Sequence, residues 1–224
     1  MKIAGTFLSA LLLGALAQSA VAATLAESRF DTTVESWTTV GDATFNGWQP
    51  GGHIQGTDQK LGDNWYFSAP SAFLGNKSGA TSLSFELKAS NTNLYDAWDV
   101  VLVGATGTLV TDLSPSGLTA PSDTAWTPYS VSLTNASAWT SIASSAINGK
   151  PAGIAGTTGQ LAGVLGSLSA VYIRGEYRTG DDSGRLDNVV MSGSVTPVPE
   201  PGGYAMLLAG LGLICTIGWR RAGR

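Results

Sequence analysis

Thr81-Ser82-Leu83-Ser84-Phe85-Glu86-Leu87-Lys88-Ala89 alternates without a break. Leu83, Phe85 and Leu87 fall on one side; Ser82, Ser84, Glu86 and Lys88 fall on the other. Side chains of a strand point to opposite faces with a period of two, so the stretch predicts a strand with one face on a core and the other in water. That kind of strand belongs to antiparallel sheets. Downstream, Asp99-Val100-Val101-Leu102-Val103-Gly104 is apolar on both faces and predicts a central strand. Gly107 to Asp112 returns from it as a hairpin, with Ala105-Thr106-Gly107 at the bend. Tyr129 to Leu133 alternates again, Tyr129, Val131 and Leu133 on one side.

Upstream, Arg29-Phe30-Asp31 and Ser36 to Val40 read as short strands, and Phe45 to Trp48 as another that Pro50-Gly51-Gly52 breaks. Asn64-Trp65-Tyr66-Phe67-Ser68 is an aromatic strand ended by Pro70, and Ser71 to Asn76 fits one helical turn. Asn135 to Gly159 is poorest in signal and reads as loop anchored by Trp139 and Ile142. Gln160 to Leu168 places Leu161, Val164, Leu165 and Leu168 at helical spacing; Gly163 and Gly166, each weakening a helix by ~1 kcal/mol, keep it short. Ala170 to Arg178 and Arg185 to Ser192 are the last strands, joined by an acidic turn over Thr179 to Gly184. Many short strands with one short helix predict an all-β protein, an antiparallel jelly-roll β-sandwich whose first and last strands lie together.

Both ends of the chain read as targeting segments. Lys2, an apolar Ile3 to Ala17 and the small-x-small Ala20-Val21-Ala22 form a secretory signal peptide over residues 1–22, cut by signal peptidase before Ala23. At the other end stand Val198-Pro199-Glu200-Pro201, an uncharged apolar run from Tyr204 to Trp219, and Arg220, Arg221 and Arg224. The prolines and the residue between them cannot be helical. Roughly 18 residues at ~1.5 Å each reach about 27 Å, enough for a transmembrane helix that just crosses a ~30 Å hydrocarbon core. Terminal arginines stay in the cytoplasm, so the body lies on the other side. Residues 23–193 then form one domain, 194–198 a linker and 199–224 the tail. The single cysteine, Cys215, lies in that tail, so the exported body has no thiol or disulfide chemistry. The net charge of −4 understates the body's acidity, since Lys2 and three arginines lie in the targeting segments. An acidic body argues against binding nucleic acid.

The tail resembles the PEP-CTERM sorting signal of Gram-negative bacteria, in the order Pro-Glu-Pro, short Gly/Ala/Leu-rich span, arginine cluster. The resemblance implies that exosortase, a membrane enzyme, recognises the motif, cleaves there and passes the protein towards the cell surface or extracellular matrix. A plain tail anchor behind a proline hinge shares the topology but keeps its tail. The body resembles the laminin B domain (domain IV) in four pieces: Phe30-Asp31 with Ser36-Trp37; Trp65 to Pro70 running into Phe73-Leu74-Gly75-Asn76; Ile173-Arg174-Gly175-Glu176-Tyr177; and Leu186-Asp187-Asn188-Val189. That resemblance implies a jelly roll akin to galactose-binding-like modules, and no catalysis. Laminin copies sit inside long cysteine-rich chains and this one stands alone, so no laminin partner carries over.

Candidate sites divide by chemistry. His53, the lone histidine, would need an orienting partner to act as a base; Asp58 and Asp63 are at hand, but a lone His in a Gly-rich stretch is more often a surface residue. Ser68, Ser71 and Ser78 lack a nucleophile-elbow context. Asp96 with Asp99, or Glu176 with Asp181 and Asp182, would make a glycosidase pair only at a fixed separation across a cleft. Calcium takes hard oxygens from loops, and family resemblance places a structural ion near the joined ends; Asp31 and Asp187 are the acids to test, Glu27 a third. Asp187 bonding backbone N–H groups is the other reading. Arg174 and Glu176 share a strand face, two apart, and pair with each other or across the sheet; a buried Arg there is structural. Trp219 marks a membrane interface, and the laminin B resemblance, whose positions Trp37 and Trp65 match, implies that these two lie in the core. Trp48, Trp98, Trp126 and Trp139 are loop-proximal and less constrained; Trp48, Trp98 and Trp126 are the candidate platforms for a sugar ring, each with the alternative of plugging an end of the sandwich. The leading function is an exported, non-catalytic surface or matrix protein associated with extracellular polysaccharide; the alternative is a secreted carbohydrate-active hydrolase.

Overall fold

The computed structural model describes residues 21–58, 64–90, 92–114, 120–143 and 148–195. The expected membrane span, the sorting residues Val198 to Arg224 and nearly all of the signal peptide lie outside them. No helix of the described residues is long and apolar enough to cross a membrane.

The strands are β1 (Val21–Ser28), β2 (Thr38–Val40), β3 (Ala43–Gln49), β4 (His53–Asp58), β5 (Tyr66–Ser68), β6 (Ala80–Ala89), β7 (Val100–Gly104), β8 (Gly107–Thr111), β9 (Thr127–Ser132), β10 (Thr140–Ile142), β11 (Ile154–Ala155), β12 (Leu168–Arg174) and β13 (Ser183–Val195). The helix is α1 (Thr158–Leu165). One sheet runs β3-β4-β13-β6-β9, with β1 also on β13; the other runs β11-β10-β8-β7-β12-β5-β2. Every registered pair is antiparallel. The first and last strands therefore do lie together, and the fold is an all-β sandwich as the alternation predicts.

Burial follows the period of two. On β6, Leu83, Phe85 and Leu87 are buried while Ser84, Glu86 and Lys88 stay half-exposed. They meet Val100, Leu102, Leu109, Val171 and Ile173 of the opposite sheet around Trp37, Trp65, Phe67 and Phe73. β7 is central in its sheet, as its two apolar faces require. Its other face carries a second apolar cluster of Tyr66, Val101, Val110 and Ile142, with Trp98 and Tyr172 packed against it. Residues 149–151 lie over this face. Asn64 Nδ2 donates to the Gly149 carbonyl at 3.1 Å, Trp98 Nε1 to Pro151 O at 3.1 Å, and Lys150 Nζ reaches Asp96 at 2.6 Å and Asp112 at 2.9 Å.

Three readings are corrected and one is refined. Residues 29–31 are not a strand: β1 ends at Ser28, and Phe30 turns inward at φ 53°, a backbone state uncommon outside glycine. The Glu35 carboxylate holds that turn by accepting from the Phe30 amide at 2.7 Å and the Arg29 amide at 3.2 Å. The stretch 135–159 is, among its described residues, loop for the most part, anchored by Trp139 and Ile142 as read, and adds a 3-10 turn (Ala136–Ala138), β10 and β11, elements too short to leave a period. Trp139 in it is wholly buried, its Nε1 donating to Ser132 O at 2.8 Å. The helix starts earlier than Gln160, because Thr157 and Gln160 form a reciprocal capping box, and Leu168 opens β12 instead of closing the helix. β12 stops at Arg174, not at Arg178, because its partner strands run out there: Arg174 pairs with Tyr66, the first residue of β5, and Ile173 with Val100, the first of β7.

The last strand runs to Val195, two residues into the stretch read as linker, and the first begins at Val21. Gly104 lets α1 press on the β7–β8 hairpin: a Cβ there would stand 2.7 Å from the Val164 backbone.

Candidate functional site

The buried charges come first, because they decide which acids are free for chemistry. Arg174 has no exposed surface. Its Nη1 donates to Asp99 Oδ1 at 3.2 Å and Ala97 O at 3.1 Å, its Nη2 to Tyr95 O at 2.8 Å, and its Nε to the Glu176 carbonyl. The guanidinium also stands over the rings of Tyr95 and Tyr177. Of the two pairings the sequence leaves open for Arg174, with Glu176 or across the sheet, the structure takes the second, to Asp99, and only the Glu176 backbone takes part. The Glu176 carboxylate instead accepts from the Trp65 amide at 3.2 Å. Burial, with Asp58, Asp42 and Asp182 nearby, pushes its pKa up to about 8. Asp182 accepts from the amides of Tyr177 and Arg178, and burial raises it to about 6.

The acids imagined as glycosidase pairs are thus engaged with other groups. Asp96 is tied to Lys150 and Asp99 to Arg174, and Glu176 and Asp182 are buried with backbone donors on them. An open groove of ≈ 350 Å³ lies beside Trp98, lined also by Thr111, Asp112, Leu113, Ala138 and Thr140, with Asp112 its one carboxylate.

Of the expected calcium acids, Asp31 stands near enough to Asp187 to repel it. Asp187, on β13, accepts from the Asn188 amide at 2.7 Å. Burial raises its pKa to about 6 against that bond, and Glu86, Asp31 and Glu35 add repulsion. Asp31 is exposed, and Glu27 pairs with Arg29. Among the described residues no three His, Cys, Asp or Glu stand close enough to hold a metal ion.

The three tryptophans have different settings. Trp48 lies on β3, 37% exposed, and its Nε1 donates to Phe30 O at 2.6 Å. Trp98 is half-buried, with the Lys150 ammonium 4.7 Å from its ring centre. Trp126 immediately precedes β9 on the outward side of the other sheet. There the pairing Gln55↔Arg185↔Lys88 sets three outward side chains in one row across β4, β13 and β6. Leu87 pairs with Thr127, so Trp126 comes next in that row. Lys88 Nζ stands 4.8 Å from the Trp126 ring centre, and His53 meets the same ring edge-on at 5.5 Å. His53 is lowered in pKa by burial first, then by Arg185 and Lys88. A groove of ≈ 170 Å³ runs beside the row, lined by Lys88, Ala89, Ser90, Asp123, Ser183 and Arg185. The sequence flags Trp126 and His53 separately; nothing in it shows that Lys88 and Arg185 join them, since the residues come from four strands.

Comparison with known proteins bears on the family and the fold. The profile described as Laminin B (Domain IV) matches residues 66–205, and the one described as PEP-CTERM protein-sorting motif matches residues 197–222. Of the four laminin-like pieces, Phe30 to Trp37 lies before the matched range. Comparison with curated proteins returned no match. Among solved structures, the L4b domain of human laminin alpha-2 is similar at TM-score 0.50 and 12% identity, covering 77% of this chain and 99% of that one. CtCBM11 is similar at TM-score 0.46 and 14% identity, covering 81% and 100%, and a family 29 carbohydrate-binding module at 0.44 and 12%, covering 78% and 89%. At these identities the laminin likeness is one of fold, and the two modules, below 0.5, add nothing to it.

Proposed function

The chain belongs to the laminin B (domain IV) family, and from that premise we propose that it is an exported, non-catalytic surface protein that binds extracellular polysaccharide. The observation that carries export is the PEP-CTERM match over 197–222. On this reading signal peptidase removes residues 1–22, the apolar run holds the chain briefly in the inner membrane, and exosortase cuts near Pro199 and releases the body towards the cell surface of a Gram-negative bacterium. The body then acts by adhesion. Support for that comes from half-exposed tryptophans beside grooves, at Trp98 and Trp126, while the acids suggested for hydrolysis are engaged with Arg174, Lys150 or backbone amides. A structural calcium ion at Asp31 and Asp187 remains part of the proposal.

Mass spectrometry of the protein from cells with and without exosortase tests the sorting. A mature chain beginning near Ala23 and ending near Pro199, lost when exosortase is deleted, is the expected result. A full-length chain retained in both strains would overturn it. Scanning calorimetry with calcium and with a chelator tests the ion, and an unchanged thermal midpoint on chelation removes it from the reading.

A further inference from the structure

The row Gln55–Arg185–Lys88–Trp126 presents an electrostatic problem. Arg185 and Lys88 are direct cross-strand partners. Like charges directly opposite each other on a sheet destabilise it. Neither cation takes part in an ion pair among the described residues: Arg185 Nε spends itself on the neutral Gln55 amide oxygen at 3.1 Å, and Lys88 rests on the Trp126 ring. Carboxylates are not scarce nearby. Glu86 and Asp187 form the next cross-strand pair, yet they too stand opposite each other instead of neutralising the basic row. In a chain of net charge −4, two adjoining cations with no ion pair among the described residues, beside an aromatic ring and with Asp123 as the carboxylate lining their groove, form a local arrangement that the fold does not need.

We propose that this outward face, at Trp126, Lys88 and Arg185, binds a carboxylate-bearing sugar, a uronic acid unit of an acidic polysaccharide. The inference rests on the polysaccharide reading above and names its site and ligand class. Each part of such a sugar meets a matching group. Guanidinium and ammonium groups favour a carboxylate, with charge-assisted hydrogen bonds about twice as strong as neutral ones. An indole ring packs against the apolar face of a pyranose. The Ser90 and Ser183 hydroxyls and the Asp123 carboxylate, which line the groove, can bond ring hydroxyls. A carboxylate ligand also relieves the repulsion between Arg185 and Lys88, so binding removes a strain that the free protein carries.

The test uses the full chain purified in detergent, with polygalacturonate, dextran, dextran sulfate and duplex DNA as probes in affinity electrophoresis. Polygalacturonate is expected to retard the protein, dextran not at all, and added salt to weaken the retardation. Lys88→Gln and Arg185→Gln should each raise the dissociation constant tenfold or more while leaving the thermal midpoint unchanged or higher, because each removes one of two repelling charges. Trp126→Ala should weaken binding by a similar factor. Dextran sulfate or DNA bound as tightly as polygalacturonate would reduce the face to a generic anion patch and overturn the proposal. Polysaccharide binding insensitive to all three substitutions would overturn this site and leave the wider reading standing. No retardation by any polysaccharide would overturn both.

Discussion

The indole of Trp65 fills the space that a side chain on Gly175 would need. A Cβ at Gly175 would lie 2.0 Å from Trp65 Cζ3 and 2.1 Å from Cη2, and Trp65 itself has no exposed surface. Gly175 is the middle residue of the laminin-like stretch Ile173 to Tyr177, so a tight contact explains one residue of that pattern physically. Gly175→Ala must displace a fully packed ring. Overpacking costs typically 1–3 kcal/mol, and a clash with a buried indole sits at or above the top of that range. Urea unfolding should show a lower midpoint at unchanged slope; a midpoint equal to that of the parent protein would refute the contact.

Asp99 and Arg174 form a buried ion pair whose surroundings are complete, with the Leu113 amide donating to Asp99 at 2.7 Å and three carbonyls accepting from Arg174. Removing one partner leaves the other charged and enclosed. Asp99→Asn and Arg174→Met should each lose about 3–5 kcal/mol. The double substitution should lose clearly less than the sum, because the two groups are coupled. Additive losses in a denaturation cycle would show that the pair contributes no coupling.

Stability should fall as pH rises through the neutral range. Glu176 moves from 4.5 to about 8 in the folded protein, chiefly by burial, and Asp182 from 3.8 to about 6. An acid raised on folding holds its proton where the unfolded chain has lost it. Its stabilising contribution is full below the unfolded value and is lost as pH climbs through the folded one. One such proton corresponds to at most about 1.4 kcal/mol per pH unit. Glu176→Gln, neutral at every pH, should flatten the profile between about pH 4.5 and pH 8, read as the thermal midpoint against pH. A variant as steep as the parent would locate the dependence in other groups.

Trp48→Phe should keep most of the apolar contact and lose the hydrogen bond to Phe30 O. A net loss of about 1 kcal/mol is expected from one such bond. Retention on polygalacturonate should stay within twofold of the parent, since Trp48 is on β3 and outside the Arg185–Lys88 row. Equal stability of the two proteins would mean that the indole N–H holds nothing.

Much of the sandwich is legible along the chain. Leu83, Phe85 and Leu87 announce their burial by spacing, Val100 to Val103 announce a strand covered on both faces, and Trp37 and Trp65 announce a core. Even the helix start was readable, since Thr157-x-x-Gln160 is a capping-box signature. These features are local, set by the period of a strand, the volume of a side chain or the reach of one cap. The partner of Arg174 and the joining of Gln55, Arg185, Lys88 and Trp126 are not local. They depend on which strands lie side by side and in what register, as between β4, β13, β6 and β9. That register is set by burying one face of each strand at once, and a slip of one residue would turn every outward group inward. The sequence by itself therefore determined a two-faced, cysteine-free β body and its sorting tail, whereas only the tertiary structure decided which charges meet, because charge placement follows from packing between segments far apart in the chain.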